Sequence, residues 1–126
     1  MTTAGYGPPM GLAWEQVIVE AADPAALGQW WADALGWVVV YSSADEFEIR
    51  PEPDRLPGID FIPAGESRKA KSPLHLDFRP DDQAAEVERL LAHGARRVDI
   101  GQGDVAWVVL ADPEGNEFCV LSEQPS

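Results

Sequence analysis

One pattern of structural elements occurs twice in this sequence, and the repetition restricts the fold more than any other feature. Gln16 lies seven residues before Asp23, and His75 lies seven residues before Asp82, so the two patterns are offset by 59 residues. Each aspartate precedes an amphipathic segment and can accept hydrogen bonds from the free amides of a helix start. Apolar alternation before and after these segments predicts strands. The predicted order is β-α-β-β-β, twice.

The two predicted helices have clear start and stop signals. Asp23 and Pro24 suit the first turn of a helix, and Gly36 suits its end. The second helix is expected to begin after Asp82 and to close at Gly94. Apolar stripes at helical spacing predict the helix faces that pack on a sheet. The stripe of the first helix is Leu27, Trp30, Trp31 and Leu35, and that of the second is Val87, Leu90 and Leu91.

The strands predict how the chain is divided. They are expected at 12–20, 37–41, 46–49 and 58–62, and again at 73–78, 97–100, 105–111 and 117–121. Asp112–Asn116 has the composition of a hairpin turn rather than of a catalytic carboxylate cluster. A single repeat is too small to bury its own sheet face, so two must combine. We therefore expect an arm at 1–11 and one domain at 12–123, with modules at 12–62 and 73–123 and a linker at 63–72.

Composition restricts the partners and the compartment. The 126 residues are 45% hydrophobic, which is enough for one core. With 22 acidic and 9 basic residues the net charge is -13, which disfavours nucleic acid and anionic membrane surfaces as partners. Cys119 is the only cysteine, so an internal disulfide is impossible and a reducing cytoplasm is expected. The N-terminus lacks signal-peptide features, and no apolar run reaches the roughly 20 residues of a membrane span.

Three motifs carry a resemblance to a known family. The first motif combines Ala22–Pro24 with Trp30-Trp31 and Leu35–Trp37. The second is Leu74–Asp77 followed by Leu90–Ala95, and the third is Asp112–Cys119. Together with the repeated βαβββ order, they resemble the vicinal oxygen chelate superfamily. That superfamily contains glyoxalase I, bleomycin-resistance proteins and extradiol dioxygenases.

The resemblance implies an α+β fold in which two tandem βαβββ modules form cupped mixed sheets around a central cavity. Family members hold a divalent metal with one residue from the first strand and one from the last strand of each module. By position these residues are Gln16, Asp60, His75 and Cys119. The implied cofactor is Zn, Ni, Fe or Co.

Three of these positions leave alternatives open. The imidazole of His75 suits such metals, although a carboxylate such as Asp77 would equally satisfy it. Gln16 offers a neutral amide oxygen as a weak ligand, or it lines the cavity as a polar residue. Asp60 stands where the family usually has glutamate, and Glu66 is a second carboxylate candidate nearby.

Cys119 is the largest departure from the family pattern. The metal-dependent lyases have glutamate here, as ligand and as proton-transfer base. A thiolate binds zinc but replaces that base poorly, and a buried cysteine is otherwise a small apolar residue. Because the glutamate is absent from this position, glyoxalase I activity is not expected. Glu66 and Glu117 are the remaining candidate bases. An extradiol dioxygenase needs two histidines at its metal. The other histidine of this sequence, His93, falls at the end of the second helix, so this activity is not expected either.

These observations predict a small-molecule-binding protein whose ligand lies in the cavity between the modules. The predicted contacts are aromatic walls and polar groups, at Trp14, Gln16, His75, Trp107 and Cys119. The alternative is a metal-dependent lyase or isomerase, with Gln16, His75 and Asp60 as metal ligands. A homodimer in the cytoplasm is expected in either case.

Overall fold

The computed structural model describes residues 11–65, 75–98 and 106–123. The chain divides into two compact units, Met1–Ala64 and Gly65–Ser126. The first unit contains β1 (Gln16–Ala21), α1 (Pro24–Leu35), β2 (Val38–Ser42), β3 (Phe47–Arg50) and β4 (Gly58–Pro63). The second contains β5 (Leu76–Phe78), α2 (Gln83–Ala92), β6 (Arg96–Arg97), β7 (Val108–Ala111) and β8 (Glu117–Val120). The predicted βαβββ order is confirmed in both.

Each unit forms one four-stranded mixed sheet. The strand order is β1-β4-β3-β2 in the first sheet and β5-β8-β7-β6 in the second. In both sheets the first and last strands of the module pair in parallel, and the remaining neighbours are antiparallel. The α+β fold class predicted from the sequence is therefore confirmed.

The 59-residue offset also holds at the level of strand register. Ile18 pairs with Asp60 in the first sheet, and Asp77 pairs with Cys119 in the second. Each residue of the second pair follows its counterpart by 59 positions. Equivalent residues of the two modules thus occupy equivalent positions in their strand registers.

The predicted caps and the predicted turn are present. Asp23 accepts a hydrogen bond from the amide of Ala26, and Asp82 accepts one from the amide of Ala85, each at 3.1 Å. Gly36 ends α1 with a φ of +70°, the left-handed conformation that glycine adopts readily. Asp112–Asn116 connects β7 to β8 as a hairpin turn.

Each sheet buries one face under its helix, which we call the helix face. In the first sheet this face carries Phe47 and Ile49 of β3, which pair with Phe61 and Ile59 of β4. Trp31 of α1 is buried in the same unit. In the second unit the buried apolar residues include Val87, Leu90, Leu110, Phe118 and Val120. Because side chains alternate along strands, the neighbouring residues lie on the opposite face of each sheet.

The strand boundaries differ from the predictions at several ends. β1 begins at Gln16 rather than at residue 12, because its partner strand begins at Gly58, which pairs with Gln16. β6 covers only Arg96–Arg97, and β7 begins at Val108. Parts of the predicted strands at 73–78, 97–100 and 105–111, and most of the predicted arm and linker, lie outside the described residues. Within the described residues, neither helix is long and apolar enough to cross a bilayer.

Gly28 permits the close approach of α1 to β3. A Cβ at this position would overlap the Phe47 ring, with Cε2 only 2.9 Å away. We expect Gly28→Ala to lower the free energy of unfolding by about 1–2 kcal/mol, because overpacking exceeds the gain in helix propensity. Urea unfolding measures this loss. The double variant Gly28→Ala/Phe47→Leu should recover part of it, and failure to do so would contradict the assigned contact.

Candidate functional site

The opposite face of the first sheet carries a row of four side chains, one from each strand. Tyr41 pairs with Glu48, Glu48 pairs with Asp60, and Asp60 pairs with Ile18. Tyr41 is 50% exposed, whereas Asp60 is only 3% exposed. The sheet therefore places a buried carboxyl group between an acidic neighbour and an apolar one.

The environment of Asp60 disfavours its charged form. The pKa of Asp60 is raised from 3.8 to about 7, by burial above all, then by a side-chain hydrogen bond with Glu46 and by the charges of Glu46 and Glu48. Its Oδ1 atom is buried and has no hydrogen-bond partner among the described residues. A buried carboxyl oxygen without a hydrogen-bond partner is uncommon in native proteins.

Arg50 is the cation closest in sequence to this row, and it pairs with Glu48 of the row rather than with Asp60. Its Nε donates to Glu48 Oε2 at 3.0 Å, and a terminal nitrogen donates to the carbonyl of Pro53 at 3.2 Å. Its other terminal nitrogen lies 3.7 Å from Glu15 Oε2. A Cβ at Gly58 would lie 3.0 Å from the Arg50 side chain and 2.7 Å from the Ile49 carbonyl. Glycine at this position therefore leaves room for the arginine stem.

An open cleft lies beside these groups, within the first unit. Its volume is about 460 Å³, and its lining combines apolar and charged side chains: Val40, Tyr41, Glu46, Glu48, Arg50 and Pro53. None of these residues was predicted from the sequence as part of a site. The available signal is the alternation of Glu46, Glu48 and Arg50 with the buried Phe47 and Ile49.

The opposite face of the second sheet brings together His75, Asp77 and Cys119. The Nε2 atom of His75 lies 3.1 Å from Asp77 Oδ1. One potential ligand atom from each of the three residues lies within 4.8 Å of the others. The predicted alternative for His75, a carboxylate partner at Asp77, is thus present, and the half-buried Cys119 lies beside it.

The surroundings of Cys119 keep its thiol protonated. Burial is the largest cause that raises the pKa of Cys119 above 9.0, followed by the charge of Asp77, a hydrogen bond with Asp77, and the charge of Glu117. A thiol in an acidic, partly buried environment is a poor nucleophile. A bound metal cation would favour the thiolate form.

The remaining predicted site residues occupy different environments. Gln16 is half-buried on the same face as Asp60, and Glu117 is half-buried at the start of β8. Trp14 precedes β1 and is 66% exposed, and Trp107 precedes β7 and is 41% exposed. Glu66 lies outside the described residues. The first unit thus carries Gln16 and Asp60 on one sheet face, and the second carries His75 and Cys119 on one face.

The donor atoms of the second unit fit a divalent metal. Imidazole nitrogen, carboxylate oxygen and cysteine sulfur are the three donor types that zinc accepts in proteins. His75, Asp77 and Cys119 supply one of each at mutual distances that suit a single ion.

Comparison with known proteins identifies the family. A model of the glyoxalase-like domain matches residues 16–121, which include both modules. The chain belongs to the glyoxalase-like domain family. This membership is consistent with the resemblance to the vicinal oxygen chelate superfamily. A search of curated protein sequences finds no match.

Solved structures share the fold of this glyoxalase-like protein at low sequence identity. A glyoxalase/bleomycin resistance protein/dioxygenase family enzyme from Burkholderia phytofirmans has a TM-score of 0.72 and 18% identity, covering 90% of this chain and 100% of that one. TnmS3, an antibiotic binding protein from Streptomyces sp., has a TM-score of 0.68 and 17% identity, covering 94% and 100%. A superfamily member from Sphaerobacter thermophilus has a TM-score of 0.68 and 15% identity, covering 91% and 100%.

Proposed function

We propose that this glyoxalase-like protein binds a small organic molecule and has no strong catalytic activity. The observation that carries the proposal is the cleft of the first sheet, whose lining combines the half-exposed ring of Tyr41 with apolar and charged side chains. Small-molecule sites combine apolar walls with a few polar groups that orient the ligand. We further propose that Trp14, Gln16, His75, Trp107 and Cys119 contact the same ligand, in the inter-module cavity that the family resemblance implies.

The chemistry of Cys119 argues against a proton-transfer enzyme. Catalysis by the metal-dependent lyases needs a carboxylate at this position, to accept and return a substrate proton. Here the position carries a thiol that retains its proton beside Asp77. TnmS3, whose name describes an antibiotic binding protein, is a structural relative that supports binding as a function for this fold.

A ligand screen in the presence of EDTA tests the proposal. Thermal unfolding of the full chain is followed against a library of antibiotic-like aromatic and heterocyclic molecules. We expect ligands that raise the midpoint and retain their effect without metal, because the binding groups are side chains of the sheets. A screen in which every stabilising molecule requires added metal would contradict the proposal and would favour the second candidate.

The second candidate is a metal-dependent lyase or isomerase, and the cluster of His75, Asp77 and Cys119 favours it. In this candidate, Gln16, His75 and Asp60 hold the ion, with Asp77 and Cys119 as further donors. A divalent metal supplies Lewis-acid polarisation of a substrate oxygen. Glu66 or Glu117 then takes the substrate proton.

Cobalt binding tests the metal site without an activity assay. We expect Co²⁺ to bind with 1:1 stoichiometry and to show a sulfur-to-cobalt absorption band, because Cys119 is within reach of the same ion as His75. His75→Ala should weaken binding at least about tenfold, and Cys119→Ser should remove the band. His93→Ala, at the end of α2, is the matched control. Binding that is unaffected by His75→Ala would contradict the assignment.

We also propose that the protein is a cytoplasmic homodimer. Exposed apolar side chains at Leu12 and Trp14 support self-association, and the free thiol of Cys119 suits a reducing compartment. Light scattering on the purified chain measures its mass. A monomer at micromolar concentration would contradict the dimer.

A further inference from the structure

We propose that the cleft of the first sheet binds a neutral, flat aromatic ring, with Val40 and Tyr41 as its wall and the guanidinium of Arg50 stacked on it. The proposal names the class of ligand for this cleft and rests on the proposed function. It follows from an extra residue in β2, from the hydrogen bonds that hold Arg50, and from the charges of the lining.

A β-bulge places two successive residues of β2 beside the cleft. The pairing of β2 with β3 shifts between Val39 and Tyr41, so Val40 is an extra residue without a partner in β3. Successive side chains of a regular strand point to opposite faces of the sheet. Val40 and Tyr41 nevertheless both line the cleft. The bulge thus adds an apolar side chain to the half-exposed tyrosine ring, in the way that bulges redirect side chains next to active sites.

Arg50 lies in the cleft lining with its hydrogen-bonding edge occupied. Its Nε donates to Glu48 Oε2 at 3.0 Å, and a terminal nitrogen donates to the Pro53 carbonyl at 3.2 Å. Its other terminal nitrogen lies 3.7 Å from Glu15 Oε2. Because the donors of a guanidinium all lie in its plane, these partners occupy its edge and leave its flat faces for other contacts. Such faces stack on aromatic rings, and a guanidinium that is already fixed loses little further entropy on stacking.

The side chains of Tyr41 and Arg50 are close enough to contact one ligand. Tyr41 is the register partner of Glu48, and Arg50 lies two positions further along β3, on the same face. Diagonal neighbours of this kind are roughly 7–8 Å apart, which is within reach of aromatic and long side chains. The cleft volume of about 460 Å³ falls within the usual range of small-molecule sites.

The charges of the lining favour a neutral ring. Glu46 and Glu48 line the cleft together with Arg50, and Arg50 is already paired with Glu48. A ligand carboxylate would meet the acidic group of Glu46 and would have to displace a partner of Arg50. A positively charged ring would be repelled by the guanidinium. A neutral, electron-rich ring avoids both costs and is attracted to a cation over its face.

The experiment compares three probes built on the same two fused rings. They are 2-naphthol, which is flat and neutral, its saturated analogue decahydro-2-naphthol, and the anion 2-naphthoate. Binding to the isotope-labelled full chain is followed by amide NMR at neutral pH in the presence of EDTA. We expect 2-naphthol to shift the amides of Tyr41, Glu48 and Arg50 saturably, with a Kd at least about fivefold below those of the other two probes, because only a flat neutral ring stacks on the guanidinium.

Two variants separate stacking from general packing. Arg50→Lys keeps the charge and loses the flat guanidinium, and Tyr41→Leu keeps an apolar side chain and loses the ring. We expect each to lower the ratio of the Kd of decahydro-2-naphthol to that of 2-naphthol by about threefold, whereas a general loosening of the cleft would weaken both probes alike. Arg89→Lys, the same exchange at an arginine paired with Glu86 on α2, is the matched control and should retain the ratio.

The dispersion of the spectra shows whether each variant is folded. Tyr41 is half-exposed, so Tyr41→Leu decides the question even if Arg50→Lys fails to fold.

Each other outcome overturns the inference in a distinguishable way. Equal Kd values for 2-naphthol and decahydro-2-naphthol, or a ratio unchanged in both Arg50→Lys and Tyr41→Leu, would overturn the flat-ring class and leave small-molecule binding intact. Tighter binding of 2-naphthoate would assign the cleft to anionic ligands instead. Absence of shifts at the cleft amides from every probe would overturn the inference, and the EDTA ligand screen would then decide separately on the proposed function.

Discussion

Asp60→Asn is expected to stabilise this protein by up to about 4 kcal/mol at about pH 8, and to change its stability little near pH 4. The folded state raises the pKa of Asp60 from 3.8 to about 7, with burial as the main cause. Between these values the folded protein binds a proton that the unfolded chain releases. Stability contributed by this group is therefore present at low pH and is lost as the pH rises towards 7. Asparagine has no charge and avoids this loss.

Urea unfolding of both proteins at about pH 4, 6 and 8 measures the effect. The difference in the free energy of unfolding between variant and wild type should increase with pH and level off above pH 7. Asp33→Asn is the matched control, because its side chain is exposed on α1, and its difference should stay small at every pH. A wild type that gains stability relative to Asp60→Asn between pH 4 and 7 would contradict the assigned environment of Asp60.

Asp112→Ala is expected to lower the free energy of unfolding by about 2–4 kcal/mol, because it leaves several partly buried donors without their acceptor. Asp112 is fully buried, and its Oδ1 atom accepts the amides of Glu114 and Asn116, each at 2.9 Å. Its Oδ2 atom accepts the side-chain amide of Asn116 at 2.9 Å. The turn that these bonds hold leads directly into β8, which carries Cys119 and Glu117.

Asp112→Asn separates the hydrogen bonds from the charge. Its amide oxygen can still accept the two backbone amides, so its loss of stability should be smaller than that of the alanine variant. Denaturant unfolding followed by circular dichroism measures both. Equal losses in the two variants would indicate that the acceptor oxygen does not hold the turn.

Local signals and the repeat explain why much of the fold was predictable. Asp23 and Asp82 specify helix starts through short-range hydrogen bonds, which depend on residues three positions apart. The turn at Asp112–Asn116 likewise depends on nearby residues. The offset of 59 residues carried information over a longer range, because it identified Asp60 and Cys119 as equivalent positions in the two last strands.

The cleft of the first sheet was not predictable in the same way. The pairing of Glu48 with Asp60 beside the cleft depends on the register of β3 with β4, and a proline-rich segment without regular secondary structure connects these strands. Register across such a connection is set by packing rather than by local sequence. Asp77 was recognised as a partner of His75, which is close in sequence, but not as a neighbour of Cys119, because the register of β5 with β8 joins residues far apart in the chain. Trp14 was expected on a strand, but β1 begins two residues later, where its partner strand begins.

We propose that small molecules bind on the sheet faces opposite the helices, without a need for metal. Amide NMR of the labelled, EDTA-treated chain with a library of organic fragments tests it most directly. We predict that fragments shift the amides of Tyr41 and Glu48, which line the cleft, and amides of β1, β4, β5 and β8, including those of Gln16, Asp60, Asp77 and Cys119. Shifts confined to α1 and α2, or binding that appears only after zinc is added, would contradict it.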